Sequence, residues 1–528
     1  MALSRRWGTR RLVAGIAAIA PVLLAPVAAD ANQPRFAPNQ LLVRFDPEAP
    51  SPERAAALER VDSQGVEALP LVSGLRLVRI PGTVSVREAV DSLDRQAGVL
   101  YAEPDFVERL DAAPNDPEFG LQWALDNTGQ FFTGGAGTPD ADINAVEAWD
   151  LSTGSGSVAI AIVDTGVAWN HADLAANIWS NPDEVPGNGV DDDANGFVDD
   201  IRGWDFNGND NDPMPSGAAG SEHGTEVAGA AGAVGNNGLG ISGASQQVSL
   251  MPLRVGGATS GSLISGVISA YGYAVAEGIA IVNRSGGSPD FSQAQHDAIA
   301  AAPNTLFVFA AGNDGTNNDV DPRYPCADDL PNVVCVAATD RNDELAQFGT
   351  FGGSNFGPGT VDLGAPGSLM RTTTTPVSAF AYTSGTSLAS PITAGAAAVL
   401  WSRFPAADVA EIKHRLLASV DPLVTLNGLV ATGGRLNLFK ALTLPPETTI
   451  TMAPKKKTRK RRVTFGFESN SAASSFQCKV DKKKFKPCES PARTKKLDRD
   501  EKHTFRVSAI DQGGNVDPTP ARMKFKVK

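Results

Sequence analysis

The first 412 residues of this 528-residue chain contain no lysine. Lysine gathers instead at the C-terminus, where residues 451–528 carry 22 basic against 8 acidic side chains, a net +14. Residues 1–450 carry 24 against 51, a net −27, so the whole-chain value of −13 describes neither part. A junction this abrupt marks modules with different partners, and the length calls for more than one domain. Apolar residues at 42% and charged residues at 20% exclude global disorder. The 53 glycines and 36 prolines follow no short period, which excludes a collagen-like chain. Beyond the first thirty residues no apolar run is long enough to span a bilayer, so no transmembrane anchor is expected.

The N-terminus reads as an address. Arg5, Arg6, Arg10 and Arg11 precede an apolar run over 12–29, and Ala29-Asp30-Ala31 offers small residues for cleavage. This layout predicts a secretory signal peptide over 1–31 and an exported, extracellular product. The four cysteines agree with an oxidising compartment. Cys326 with Cys335 and Cys478 with Cys488 are close in sequence, and of three connectivities the local one is the simple expectation. Such bridges contribute about 2–3 kcal/mol each. No histidine sits near either pair, which argues against zinc.

Four segments follow the leader. Residues 32–112 read as strand, helix, strand, helix, strand (40–45, 52–61, 75–80, 86–96, 99–104), a small open α+β sheet with helices on one face. Residues 113–445 alternate buried-strand runs (158–163, 248–255, 279–283, 305–311, 333–338) with helical patterns such as 263–277 and 291–302. That alternation predicts an α/β domain with a doubly wound parallel sheet and function at the carboxyl ends of its strands. Residues 446–462, with the basic run 455–462, read as linker. Residues 463–528 read as short strands and turns forming a small all-β sandwich.

Three dispersed motifs carry chemistry. In Ala161-Ile-Val-Asp-Thr-Gly166 a buried strand ends in a carboxylate, Asp164, and a glycine turn. His223-Gly-Thr-Glu-Val-Ala-Gly229 opens a helix of small residues. A helix N-terminus disfavours imidazolium, and neutral imidazole is the form a general base needs. Ser384-Gly-Thr-Ser-Leu-Ala-Ser-Pro391 sets Ser387 at a turn entering another helix. Each alone is weak, since an isolated serine or aspartate there is more often a cap. The order Asp, His, Ser makes the set strong. An aspartic protease would need a second Asp-Thr-Gly triplet, and an α/β-hydrolase would need glycine where Ala389 stands. A non-catalytic surface protein on the same scaffold would not need all of these groups intact.

These blocks, with Val308-Phe-Ala-Ala-Gly-Asn-Asp-Gly315, resemble the subtilisin-like serine proteases in sequence order over residues 113–445. The resemblance implies a serine endopeptidase acting on polypeptides, with Asp164 orienting the base His223, Ser387 as nucleophile and the Asn313 amide donating to the oxyanion. It implies backbone pairing of an extended substrate at Ser285, Gly286 and Gly287, with Asp314 adding negative charge near the primary pocket. Glu226 departs from the histidine often found three residues after the catalytic one. Gly286 stands where the family carries a larger side chain, which removes apolar wall from a subsite. Residues 38–109 resemble the inhibitory propeptide, giving a zymogen that cleaves itself between 110 and 116 and is inhibited by its own propeptide.

Calcium is the expected metal. Asp191, Asp193, Asn195 and Asp199 fall at positions 1, 3, 5 and 9 of a loop like an EF-hand, with Gly196 at position 6 and Arg202 in place of the bidentate Glu. Asp173 with Asn237, in Gly235-Asn-Asn-Gly238, matches the family's calcium site. The C-terminal blocks around Cys478, Cys488 and 504–515 resemble bacterial immunoglobulin-like repeats. Its basic run looks like a nucleic-acid patch, but export sets no nucleic acid beside it. An anionic cell-envelope polymer is the partner expected of a +14 module on a secreted enzyme.

Overall fold

The computed structural model describes residues 36–81, 84–106, 113–132, 135–257 and 261–528. The signal-peptide reading over 1–31 and residues 110–112 of the expected cleavage stretch lie outside these residues. The chain divides into two compact units, Met1–Leu110 and Asp111–Lys528.

The first unit is a four-stranded antiparallel sheet in the order Gly65–Ala68, Leu75–Arg79, Phe36–Phe45, Val99–Phe106. The helices Ser51–Glu59 and Val86–Leu93 supply Ala57, Ala89 and Leu93 to a core shared with Leu41, Val43, Phe45 and Val78. The short strand Gly65–Ala68 adds one element to the order read from sequence. Its pattern is exposed apart from one half-buried glycine, so no hydrophobic alternation announced it.

The second unit is built on a nine-stranded sheet among the described residues. Its order is Asp421–Pro422, Gly434–Arg435, Leu363–Pro366, Val333–Thr339, Leu306–Ala310, Ile281–Arg284, Gly154–Asp164, Gln247–Arg254, Trp204–Asp205. All neighbours pair in parallel except the first two. Side chains alternate across a strand. Ile160 and Ile162 therefore enter one apolar layer, and Ala161 and Val163 the other. Leu306 and Val308 divide from Phe307 and Phe309 in the same way. Burial on both faces is what the unbroken apolar runs required.

One layer holds helices His223–Gly232 and Thr386–Arg403, the other Ile264–Ala276 and Gln293–Ala300. The Thr386–Arg403 helix is buried at every residue from Thr386 to Leu400, the state of a helix with no polar face. From the Gly154–Asp164 strand the chain visits Trp204–Asp205 and then Gln247–Arg254 on one side, and afterwards Ile281–Arg284 on the other. That reversal opens a crevice at the carboxyl ends of the strands.

Residues 446–462 contribute strands Thr448–Met452 and Lys457–Thr458, which pair with Thr464–Ser469 and Ala521–Val527. The lysine and arginine run masked the β-branched Thr448-Thr-Ile450 that makes the first of these. The C-terminal module stacks a three-stranded and a five-stranded sheet around Phe465, Phe467, Phe505 and Phe525. It joins the larger domain through a buried cluster. Arg415 lies 2.9 Å from Asp511 and 3.1 Å from Glu411, and its guanidinium stacks 3.7 Å over the Phe404 ring. Glu411 also accepts from Ser471 Oγ at 2.6 Å and Ala472 N at 2.8 Å. Both local cysteine pairs are bonded, Cys326–Cys335 and Cys478–Cys488.

Candidate active site

Asp164 ends its strand at the crevice and is 3% exposed. Its Oδ1 accepts from Thr165 N at 2.7 Å and stands 2.7 Å from His223 Nδ1. Thr165 fixes the approach of the histidine helix: its hydroxyl donates to Ser221 O at 2.9 Å and accepts from Gly224 N at 3.0 Å. Only glycine fits at 224, because a Cβ there would stand 2.3 Å from Gly166 O. Burial alone pushes Asp164 up and His223 down, but each charge stabilises the other. The net result is Asp164 below its ordinary value and His223 above it, with the Glu226 charge helping the histidine.

Ser387 is the second residue of the Thr386–Arg403 helix. Pro391, four residues on, has no N–H to give the Ser387 carbonyl. Ser285 Oγ donates to that carbonyl instead, at 2.9 Å. Ser285 is itself met by Asn283 Nδ2 at 3.1 Å, and Asn283 Oδ1 accepts from Ser390 Oγ at 2.6 Å. The proline that breaks the helix ladder thus ties the serine's backbone to the sheet.

Asn313 follows the Leu306–Ala310 strand. Its Oδ1 accepts from Thr386 N and Thr386 Oγ1, both at 2.9 Å, which leaves Nδ2 as the donor on the cleft side. A Cβ at Gly385 would lie 2.8 Å from Ser387 Oγ and 3.4 Å from Asn313 Nδ2. The two groups therefore flank one small space. Asp164, His223, Asn313 and Ser387 all line a cleft of about 570 Å³ together with Ser285, Gly286, Gly287 and Asp314. Asp314 pairs with Arg323 at 3.2 Å, so the negative charge expected at this pocket is countered. Sequence reasoning gave no role to Arg323 and Arg284, which belong to no spaced motif, or to Thr386, which lies inside the serine motif but was not singled out.

The acidic loop is assembled differently from its linear pattern. Carboxylate oxygens of Glu184, Asp193 and Asp200 lie within 4.8 Å of one another. Asn195 Nδ2 donates to Asp193 and Asp200, both at 3.0 Å. Asp191 accepts from the backbone N–H groups of Asn195 and Gly196, and Asp199 from those of Asn188 and Gly189. An all-oxygen set of three carboxylates suits a hard cation. At the second pair, Asn237 Nδ2 donates to Asp173 Oδ1 at 2.7 Å. Burial pushes the Asp173 carboxyl up to about 6. Asp116, absent from the sequence reading, accepts from the backbone N–H groups of Asn236, Asn237 and Gly238.

Hydroxyl, imidazole and carboxylate line one cleft at the switch point of the doubly wound sheet, an arrangement suited to hydrolytic chemistry. The subtilase family model matches residues 155–451, and that of the fervidolysin N-terminal prodomain matches residues 24–105. The thermophilic serine proteinase of Bacillus sp. strain AK1 is 30% identical, over 77% of this chain and 88% of its own length. Thermitase of Thermoactinomyces vulgaris is 34% identical, over 57% of this chain and 93% of its own. An extracellular protease of Xanthomonas campestris pv. campestris is 34% identical, over 68% and 63% respectively. The chain belongs to the subtilase family and is a serine peptidase with an N-terminal prodomain.

Proposed function

We propose that this subtilase is a secreted endopeptidase made as a zymogen. Residues 32–112 are its inhibitory, self-cleaved propeptide, and residues 113–445 hold the Asp164–His223–Ser387 triad. The observation that carries the reading is the 2.7 Å contact of His223 Nδ1 with Asp164, which keeps the other ring nitrogen for Ser387 across the cleft. His223 takes the Ser387 proton as the hydroxyl attacks the scissile carbonyl, then gives it to the leaving amine. Asp164 holds the tautomer, while Asn313 Nδ2 and the Ser387 N–H meet the oxyanion of the tetrahedral intermediate. Water then releases the acyl group by the same route in reverse. His223 must be neutral to act, and its proton is held above the ordinary 6.5. Activity should accordingly fall on the acid side of a midpoint above that value. A serine-directed fluorophosphonate should label the processed enzyme on the tryptic peptide containing Ser387. Labelling elsewhere, or none, overturns the assignment.

Calcium fits the loop 184–200, with Glu184, Asp193 and Asp200 as nearest ligands and Asp191, Asn195 and Asp199 shaping the turn. Asp173 would hold a second ion once the Asn237 amide turned its oxygen inward. The bound ion would neutralise carboxylates that otherwise repel.

The C-terminal module, which we read as immunoglobulin-like over 463–528, is proposed to hold the enzyme to an anionic cell-envelope polymer. In its five-stranded sheet Lys457 and Lys502 both face Lys526, while Lys479 and Arg522 both face Arg506. Phe505, Val507, Phe525 and Val527 take the inward positions of the same strands, so these cations share the outer face. Like charges set directly opposite cost stability. Of the module's acids, Asp481 is used on His503 and Asp511 on Arg415. Enzyme bound to a cell-wall pellet should be released by rising salt. Full recovery in the supernatant at low salt would remove this reading.

A further inference from the structure

Arg284 ends the Ile281–Arg284 strand, beside Asp164 at the crevice. Along this strand Asn283, and Ser285 just beyond it, turn toward the Thr386–Arg403 helix, where they bond Ser390 and Ser387. Alternation sends Arg284 and Gly286 the other way, into the layer of Val282, Val267 and Ile299. There Arg284 lines the cleft with Ser262, Ile264 and Gln295.

The missing side chain at Gly286 and the presence of Arg284 are one feature. A Cβ at 286 would stand 3.2 Å from Arg284 Cζ and Nη2, and 3.4 Å from Nη1. The guanidinium fills the space that an apolar wall would take.

This cation has no carboxylate. Its Nη1 donates to Val163 O at 3.1 Å, and among the described residues no acid lies within ion-pair distance. Asp164 feels its field but is engaged by His223 and Thr165 N. Several other buried or half-buried arginines behave otherwise. Arg254 holds Asp205, Arg323 holds Asp314, Arg371 holds Glu118, and Arg435 holds Asp343 and Asp421. Residues 113–445 carry 36 acidic against 11 basic groups, so carboxylates were abundant. A guanidinium offers five N–H donors in a fork that matches a carboxylate. With Arg323 paired to Asp314 and Asp164 engaged by His223, Arg284 is the cation left facing the cleft.

We propose that Arg284 forms a subsite for an acidic substrate side chain, so that the enzyme prefers peptides with Glu or Asp close to the cleaved bond. This rests on the endopeptidase reading above. The test is a set of fluorogenic peptides in which each position flanking the cleaved bond carries Glu or its neutral isostere Gln. At one position kcat/KM should favour Glu by about 10- to 100-fold, the scale of a charge-assisted hydrogen bond. Arg284→Gln should abolish that ratio, and Arg284→Lys should keep part of it. An enzyme that cuts the Gln peptides with no Glu preference at any position overturns the subsite. So does a preference that survives Arg284→Gln. The wild-type ratio decides even if neither variant folds. Failure to cut any peptide speaks against the endopeptidase reading instead.

Discussion

Ser387→Ala should lower turnover by about 10⁶-fold and leave the chain at full length with its prodomain attached. The scale is that of the corresponding change in subtilisin, carried over by kinship. The loss should be chemical and not structural, for three reasons. Alanine is the better helix former at this second position of the Thr386–Arg403 helix. The hydroxyl carries no hydrogen bond that holds the fold, whereas the Ser387 carbonyl, bonded by Ser285, is kept. Helix entry is secured one residue earlier, where Thr386 N and Oγ1 both donate to Asn313 Oδ1. Thermal unfolding should therefore match wild type, while a gel shows one unprocessed band and peptide hydrolysis is lost. A processed band in purified Ser387→Ala would mean that another protease, or another nucleophile, cuts the junction. Mixing a trace of wild type with the unprocessed variant should restore the shorter band by cleavage in trans.

How much of this was legible depends on whether a residue's role is local. The Gly154–Asp164 strand, the His223 helix and the serine turn each carry their signal within about eight residues, so the parallel sheet, and the residues proposed as the triad, needed no long-range information. Asn313 could be read only because its segment resembles a family block; its orientation comes from Thr386, distant in sequence. Arg284 was invisible for a related reason. In sequence it is one arginine before a serine, and only alternation along the strand, with the gap at Gly286, turns it into the cleft. The acidic loop shows the limit of linear spacing. Positions 1 and 9, Asp191 and Asp199, spend their oxygens on backbone N–H groups, while Glu184, outside the motif, joins Asp193 and Asp200. The strand at Thr448–Met452 was hidden by composition, its alternation lying next to the basic run that reads as linker.

Arg415→Met should destabilise the protein by about 3–5 kcal/mol, the cost of stranding buried carboxylates when one partner of a buried pair is removed. Arg415, Glu411 and Asp511 have side chains 3%, 6% and 0% exposed, so water cannot take over. Methionine keeps an unbranched apolar stem against Phe404, which limits the packing loss and isolates the charge effect. The acids are not left wholly bare. Glu411 retains Ser471 Oγ and Ala472 N, and Asp511 retains Asn515 N and Nδ2. The value should thus fall near the lower end of the range. Because Glu411 and Arg415 lie on one helix and Asp511 in the C-terminal module, the damage should appear at their junction. Limited proteolysis should open the segment near 445–448 in the variant before it attacks the parallel sheet. Asp511→Asn, which removes the charge, keeps an acceptor for Asn515 N and leaves Arg415 on Glu411, should cost less than Arg415→Met. Equal stability of wild type and Arg415→Met, with the module still protected, would mean that the remaining contacts suffice, among them Arg403 to Gly513 O and Asn515 to Leu442 O. The cluster joins the module to the larger domain without using any of the cations on the outer face of its five-stranded sheet.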